Sequence, residues 1–144
     1  HRLRPQNYFA LCRFLLQGTN AQREALILRI TSNQADSTSA ESILQKWCGY
    51  AEEYPIGRGN ILRQLLAAMR YRASDAAPAV PLLLLAGAQD KLVNPQCSLA
   101  LAKKWACAIK VHPDAGHDLP LDDGAWVVQK INEWLTSFSH NEIS

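Results

Sequence analysis

The feature that most constrains this chain is a continuous apolar run at Val80–Ala86, with the sequence Val-Pro-Leu-Leu-Leu-Leu-Ala, which Gly87 closes. A strand that is buried on both faces, as in a parallel sheet, produces an unbroken run of this kind. A buried helix is the alternative, because leucine favours helices. The short length of the run, with Pro81 near its start and Gly87 at its end, favours the strand.

The residues after this run repeat the pattern of a strand followed by a helix. Asn94 and Pro95 open a helix, Ala108–His112 reads as a second short strand, and either Asp122 or Asp123 caps a final helix. Strand, helix, strand and helix in this order is typical of an α/β fold with parallel strands and a right-handed crossover. The sequence therefore predicts an α/β class for this part of the chain.

The first half of the chain reads as helices only. Residues 73–79 have small side chains and include a proline, so we expect them to form the linker between the two halves. The boundary falls within this linker, with a helical region at 1–77 and the α/β region at 78–144. Four helices are expected, and their start or stop signals are Pro5 and Gly18 for the first, Thr19 or Asn20 for the second, a Thr38-Ser39-Ala40-Glu41 capping box for the third and Asn60 for the fourth.

The composition narrows the function classes. The chain has 144 residues, of which 48% are hydrophobic, enough for one domain with a core. Its net charge of +2 is too small to indicate nucleic-acid binding, and no signal peptide or membrane-spanning run is present. The four cysteines, which lack any Cys-x-x-Cys pair, are expected to be reduced thiols of a cytoplasmic protein; they are Cys12, Cys48, Cys97 and Cys107.

Two loops follow the two predicted strands and carry the residues most suited to chemistry. Asp90 lies in the loop at 87–95, and His117 lies in the loop at 113–120. In an open parallel sheet, the loops at the carboxyl ends of neighbouring strands meet at one edge. A carboxylate beside an imidazole fixes its tautomer and stabilises the imidazolium that forms when it takes a proton. Small residues flank both positions and let the loops approach closely: Gly87, Ala88, Ala115 and Gly116.

These loops resemble those of the α/β-hydrolase family. The resemblance lies in a strand that ends in Gly87-x-x-Asp90, with Leu-Val-x-Pro just beyond, and in a Gly116-His117 pair after the next strand, in the family's order of acid before histidine. It implies hydrolysis of an ester, thioester or similar acyl bond of a small molecule, without a cofactor. Asp90 would orient His117, which would act as general base and then as general acid. The helical region 1–77 would be the cap over the active site, and 78–144 the last strand-helix-strand-helix unit of an incomplete sheet.

The chain departs from this family in one large respect. The nucleophile of the family sits in a Gly-x-Ser-x-Gly turn, and no such pentapeptide occurs in the 144 residues; the strands that would form the oxyanion hole are missing too. The start at His1, without a methionine, also suggests a piece of a longer polypeptide. We therefore expect a fragment that is inactive alone and that dimerises through the free edge of its first strand. The alternatives are a non-catalytic α/β-hydrolase-like binding or assembly protein and a helical interaction module.

Cys97 and two groups of residues suggest other possible sites. Cys97, near a helix N-terminus, is an alternative nucleophile, although a packed thiol is the simpler interpretation. Cys107, His112 and His117 are spaced five residues apart and are all potential zinc ligands. Five residues along a strand place Cys107 and His112 on opposite faces, so no metal site is predicted. The arginines of the fourth helix fit either an anionic head group or a solvated face, and they are Arg63, Arg70 and Arg72.

Overall fold

The computed structural model describes residues 3–7, 9, 11 and 17–139 and shows a mixed helical and parallel-sheet fold. Within this range, the elements with complete bounds are five α-helices, one 3-10 helix and two strands. In chain order they are α1 (Asn20–Thr31), η1 (Asn33–Asp36), α2 (Ala40–Glu53), α3 (Arg58–Arg70), β1 (Leu83–Gly87), α4 (Gln96–Trp105), β2 (Ala108–His112) and α5 (Leu119–Ser139).

The sheet has the topology that the sequence predicts for its second half. β1 and β2 pair in parallel, with Leu83 opposite Ala108 and Gly87 opposite His112, and α4 forms the connection between them. β1 begins at Leu83 instead of Val80, because Pro81 has no N–H group to donate to a ladder. Both strands end at the same edge, so the two loops that follow them lie side by side.

The helix starts agree with the sequence prediction at one position and differ at another. Thr19 forms a capping box with Gln22, whose backbone N–H donates to the Thr19 hydroxyl. The capping box predicted at Thr38–Glu41 is wrong, since α2 begins after Ser39, which makes no side-chain cap bond. The hydroxyl of Ser37 instead accepts from the backbone N–H of Ser39, just before the helix begins.

The prediction that Asn60 caps the fourth helix is also wrong. Asn60 lies inside α3, where its backbone N–H donates to the carbonyl of Gly57, the residue that precedes the helix. Gly57 is the N-cap residue, with an extended backbone and no capping side chain, so the helix starts three residues earlier than predicted. The middle of the first predicted helix, including Cys12, lies outside the described residues.

The buried core includes residues of α1, of β1 and of the loop after β2. Leu28 and Ile30 of α1 are buried, as are Ala86 at the end of β1 and Ala115 in the loop after β2. Apolar side chains at the other end of the fold stay exposed, among them Val128 and Leu135 of α5. Ala86 and Ala115 thus place part of the buried core directly beside the loops that carry Asp90 and His117. No helix among the described residues combines the length and the apolar character needed to cross a membrane.

Candidate functional site

The loop after β1 fixes the carboxylate of Asp90. The side chain is buried, with only 8% of the residue exposed. Its Oδ1 atom accepts hydrogen bonds from the backbone N–H groups of Leu92 and Val93, both at 2.8 Å. Two backbone donors on one oxygen hold the carboxylate in a single orientation and leave Oδ2 for another partner.

That partner is His117, which the structure brings next to Asp90. The Nδ1 atom of His117 lies 2.8 Å from Oδ2 of Asp90. Because an ionised carboxylate can only accept, Nδ1 carries the proton and donates it. The Nε2 atom has no hydrogen-bond partner anywhere in the described part of the chain, and the His117 side chain is 45% exposed. The ring is thus held by one nitrogen and presents the other.

The pKa values of the pair move in opposite directions. Burial alone would raise the pKa of Asp90, but the hydrogen bonds from His117, Val93 and Leu92 outweigh it and hold the pKa below its ordinary value. The hydrogen bond to Asp90 raises the pKa of His117, burial opposes this, and the negative charges of Asp90 and Asp118 add to the increase. Asp90 therefore stays ionised and stabilises the protonated imidazole.

Gly87 allows the two loops to approach as closely as they do. A Cβ atom at this position would lie 2.0 Å from the carbonyl oxygen of Gly116 and 2.3 Å from that of Ala115. No side chain fits in that space, so Gly87 is required by a close backbone approach and not by its dihedral angles. The sequence-based expectation that small residues bring the loops together is confirmed at this contact.

Asp122 attaches the His117 loop to the helical region, and the sequence analysis did not single it out for this. Its Oδ2 atom accepts from the backbone N–H of Gly116 at 2.6 Å. Its Oδ1 atom accepts from the hydroxyl of Ser32 at 2.5 Å and from the backbone N–H of Asn33 at 3.0 Å. One carboxylate therefore joins the end of α1 to the residue that precedes His117.

The N-terminal segment supports the Asp90 loop from the other side. Leu3 forms an isolated antiparallel bridge with Val93, and the backbone N–H of Arg4 donates to the carbonyl of Leu92 at 3.0 Å. The buried side chain of Asn7 donates through Nδ2 to the carbonyl of Lys91 at 2.7 Å. These contacts span more than 80 residues of sequence, and no local pattern signals them.

An apolar cavity of about 960 Å³ reaches His117. We call it the inner cavity; its lining includes Ile27 and Ile30 of α1, Leu65 of α3 and Val93 of the Asp90 loop. Arg72 is the one permanently charged side chain among the described residues of its lining, and none of these residues is a serine or a cysteine. The volume lies in the range of small-molecule sites.

A second histidine–aspartate pair lies nearby and differs in its hydrogen bonding. Nδ1 of His112 accepts from the backbone N–H groups of Asp114 and Ala115, so Nε2 carries the proton and donates to Asp123 Oδ2 at 3.3 Å. The ring also packs edge-on against Trp126 at 4.9 Å. Both nitrogens of His112 are occupied, and this pair holds the kink that α5 makes at Asp123 without offering a free base.

Of the other candidates from the sequence, Arg72 alone is in the described lining of the inner cavity. Cys97 lies in the first turn of α4 and is not part of the described lining of the cavity that reaches His117. Cys107 and His112 do not form a cluster with His117, and no group of three or more His, Cys, Asp or Glu residues in the described ranges has the arrangement of a metal site. Arg72 lines the inner cavity, whereas Arg63 and Arg70 do not.

The site can hold, accept and return a proton at one exposed nitrogen beside an apolar cavity. This is the chemistry of a general base whose orientation a carboxylate fixes. No protein-family model, no curated protein and no solved structure matches the chain. The geometry of Asp90, His117 and the inner cavity is therefore the basis for any assignment of function.

Proposed function

We propose that this chain provides the cap and the acid–histidine segment of a Ser-Asp-His hydrolase of the α/β-hydrolase type, which acts on an ester, thioester or similar acyl bond. The observation that carries the proposal is the hydrogen bond from His117 Nδ1 to Asp90, which leaves Nε2 unpaired at an apolar cavity. The sequence motifs around both residues support the same assignment.

In this mechanism, His117 transfers the protons and Asp90 holds it in place. Nε2 of His117 takes the proton of a serine hydroxyl as the oxygen attacks the substrate carbonyl, and Asp90 stabilises the resulting imidazolium. His117 then gives the proton to the leaving group, and the same cycle with water releases the acid. The serine and the oxyanion hole come from polypeptide beyond these 144 residues, so the chain alone should hydrolyse activated esters no faster than free histidine.

The test uses the full polypeptide encoded by the gene that contains these 144 residues. We expect a Gly-x-Ser-x-Gly segment upstream, labelling of its serine by a fluorophosphonate, and loss of labelling and turnover in His117→Ala. Asp90→Asn should lower turnover by about 10⁴-fold, because it favours the wrong tautomer. Asp123→Asn makes the same change in the second histidine–aspartate pair and is the matched control, which should keep near-normal turnover. Near-normal turnover in either Asp90→Asn or His117→Ala would refute the assignment.

A non-catalytic binding or assembly protein is the second candidate. It is favoured by the lack of a Gly-x-Ser-x-Gly motif in the sequence and of a serine or cysteine in the described lining of the inner cavity. It predicts that the encoded polypeptide has no upstream elbow and takes up no fluorophosphonate. The labelling experiment therefore separates the two candidates before any substrate is known.

A further inference from the structure

A second cavity adjoins the inner one and has a different lining. This outer cavity, of about 640 Å³, lies between α1, α2 and α3 and is lined in part by the aromatic side chains Trp47, Tyr50 and Tyr54. Ile27, Ile61 and Gln64 line both cavities. These three side chains are therefore the shared boundary between the two cavities.

The lining residues follow one face of each of two helices. On α1 they are Asn20, Arg23, Glu24, Ile27, Ile30 and Thr31, and on α3 they run from Arg58 through Ile61, Gln64 and Leu65 to Ala68 and Met69. Spacings of three and four residues place each set along a single side of its helix. In both helices the first residues line the outer cavity and the last ones line the inner cavity. The two cavities thus form one groove with α1 and α3 as its walls.

The groove runs along about three turns of each helix. Eleven residues separate its first and last lining positions on each helix, which corresponds to about 16 Å at 1.5 Å per residue. α1 packs closely against α2, whereas the described residues show no comparable packing between α1 and α3, which stand apart with the cavities between them. An extended chain fits such a space better than a compact ligand does.

The side chains that line the two ends of the groove differ, and this gives the groove a direction. The described lining of the inner cavity contains Arg72 and His117 but no acidic side chain, which suits a carbonyl or carboxylate head group. In the outer cavity, Arg23 lies beside Glu24 and is held by hydrogen bonds to Thr19 and Asn20, so these two charges partly offset each other, while Arg58 adds one more positive charge to the lining. The aromatic rings there offer apolar surface for a hydrocarbon tail.

We propose that this groove binds one fatty acyl chain, with its carbonyl end at His117 and its tail against Trp47, Tyr50 and Tyr54. The inference rests on the proposed function for its substrate class, since a scissile carbonyl must reach Nε2 of His117. Binding of the chain itself does not need a nucleophile. It can therefore be measured on these 144 residues whether or not the hydrolase assignment holds.

The experiment is calorimetric titration of the 144-residue chain with dodecanoate, below its micelle concentration, and with hexanoate. Ile61→Trp fills the boundary between the cavities and should weaken dodecanoate binding about tenfold or more while leaving hexanoate unchanged, because only the longer tail must pass that point. Leu62→Trp is the matched control, since Leu62 is the next residue of α3, is 52% exposed and lines neither cavity. Its affinity for dodecanoate should equal that of the parent chain.

Each outcome decides the proposal. Saturable dodecanoate binding that Ile61→Trp weakens and Leu62→Trp does not would support the groove. Absence of dodecanoate binding, or equal affinities in the two variants, would overturn it. If circular dichroism shows that Ile61→Trp is unfolded, Gln64→Trp repeats the test at an exposed position on the same boundary. A failed fluorophosphonate experiment with intact acyl binding would remove the hydrolase assignment and leave the groove standing.

Discussion

Replacing Gly87 with alanine should destabilise the chain and pull His117 away from Asp90. The added Cβ would lie 2.0 Å from the carbonyl oxygen of Gly116, whereas the shortest ordinary C···O contacts are about 3.3 Å. The two loops must therefore separate by about 1.3 Å. The obstructing atoms are backbone, so no side-chain rotation relieves the contact.

The expected loss follows from three terms. Overpacking of this kind costs about 1–3 kcal/mol. The separation also strains the hydrogen bond from the backbone N–H of Gln89 to the carbonyl of Ala115, now 3.0 Å, which is worth about 1 kcal/mol. Alanine also lowers the conformational entropy of the unfolded chain relative to glycine, which stabilises the fold by about 0.4–1 kcal/mol. We expect a net decrease of about 2–3 kcal/mol in the free energy of unfolding.

Urea denaturation of the 144-residue chain measures this, and Gly49→Ala provides the control. Gly49 lies inside α2, and a Cβ there would meet no atom within 4 Å, so this variant should gain about 0.5–1 kcal/mol. In the Gly87→Ala chain, NMR should also show the pKa of His117 returning towards its ordinary value. A Gly87→Ala chain that is as stable as the parent, with an unchanged His117 pKa, would refute the role given to this contact.

The remaining predictions concern the same pair and the free edge of the sheet. Because the pKa of Asp90 is lowered in the folded chain, Asp90 stabilises the fold at pH values above its unfolded-state pKa, and this stabilisation is lost as the pH falls through its folded-state pKa. Because the pKa of His117 is raised, His117 stabilises the fold fully at pH values below its unfolded-state pKa, and this stabilisation is lost as the pH rises through its folded-state pKa. Urea midpoints should therefore be highest at roughly pH 4–6.5 and should vary less with pH in Asp90→Asn. By NMR titration, Asp90→Asn should lower the pKa of His117, whereas Asp123→Asn should not. Leu83→Lys should weaken self-association through the edge of β1 in sedimentation experiments, and a parent chain that stays monomeric at all concentrations would contradict this.

The sheet and its two loops were predictable because local patterns determine them. The apolar run predicted the strand β1, although only Ala86 and Gly87 at its end are buried and the leucines before them are partly exposed. Gly87 and Pro113 mark the ends of the two strands by their backbone chemistry. Once two strands are parallel neighbours, topology alone brings Asp90 and His117 to one edge. The cavity that reaches His117 was not predictable, since it depends on how α1 and α3 stand apart.

Helix starts in the first half were harder to predict because competing polar groups lie close together in sequence. Thr38 and Glu41 have the spacing of a capping box, yet the hydroxyl of Ser37 satisfies the backbone there. Either Asp122 or Asp123 was expected to cap the last helix: Asp123 accepts from the backbone N–H of Trp126, whereas the carboxylate of Asp122 binds Ser32 across 90 residues of sequence. Local spacing cannot distinguish these outcomes, because the choice between a local and a distant partner is made by tertiary packing.

The two histidine–aspartate pairs show most clearly where sequence information ends. Both pairs contain one histidine and one aspartate, and their histidines are close in sequence: His112 is the last residue of β2, and His117 lies in the loop that follows. Among the two, only His117 keeps a nitrogen unpaired at the inner cavity. His112 uses Nδ1 to accept two backbone N–H groups, which forces its proton onto Nε2 and towards Asp123. The capacity for base catalysis thus depends on which nitrogen the carboxylate holds and on what the other one faces. This is why Asp90→Asn and Asp123→Asn, identical as chemical changes, are expected to differ in their effects on turnover and on the pKa of His117.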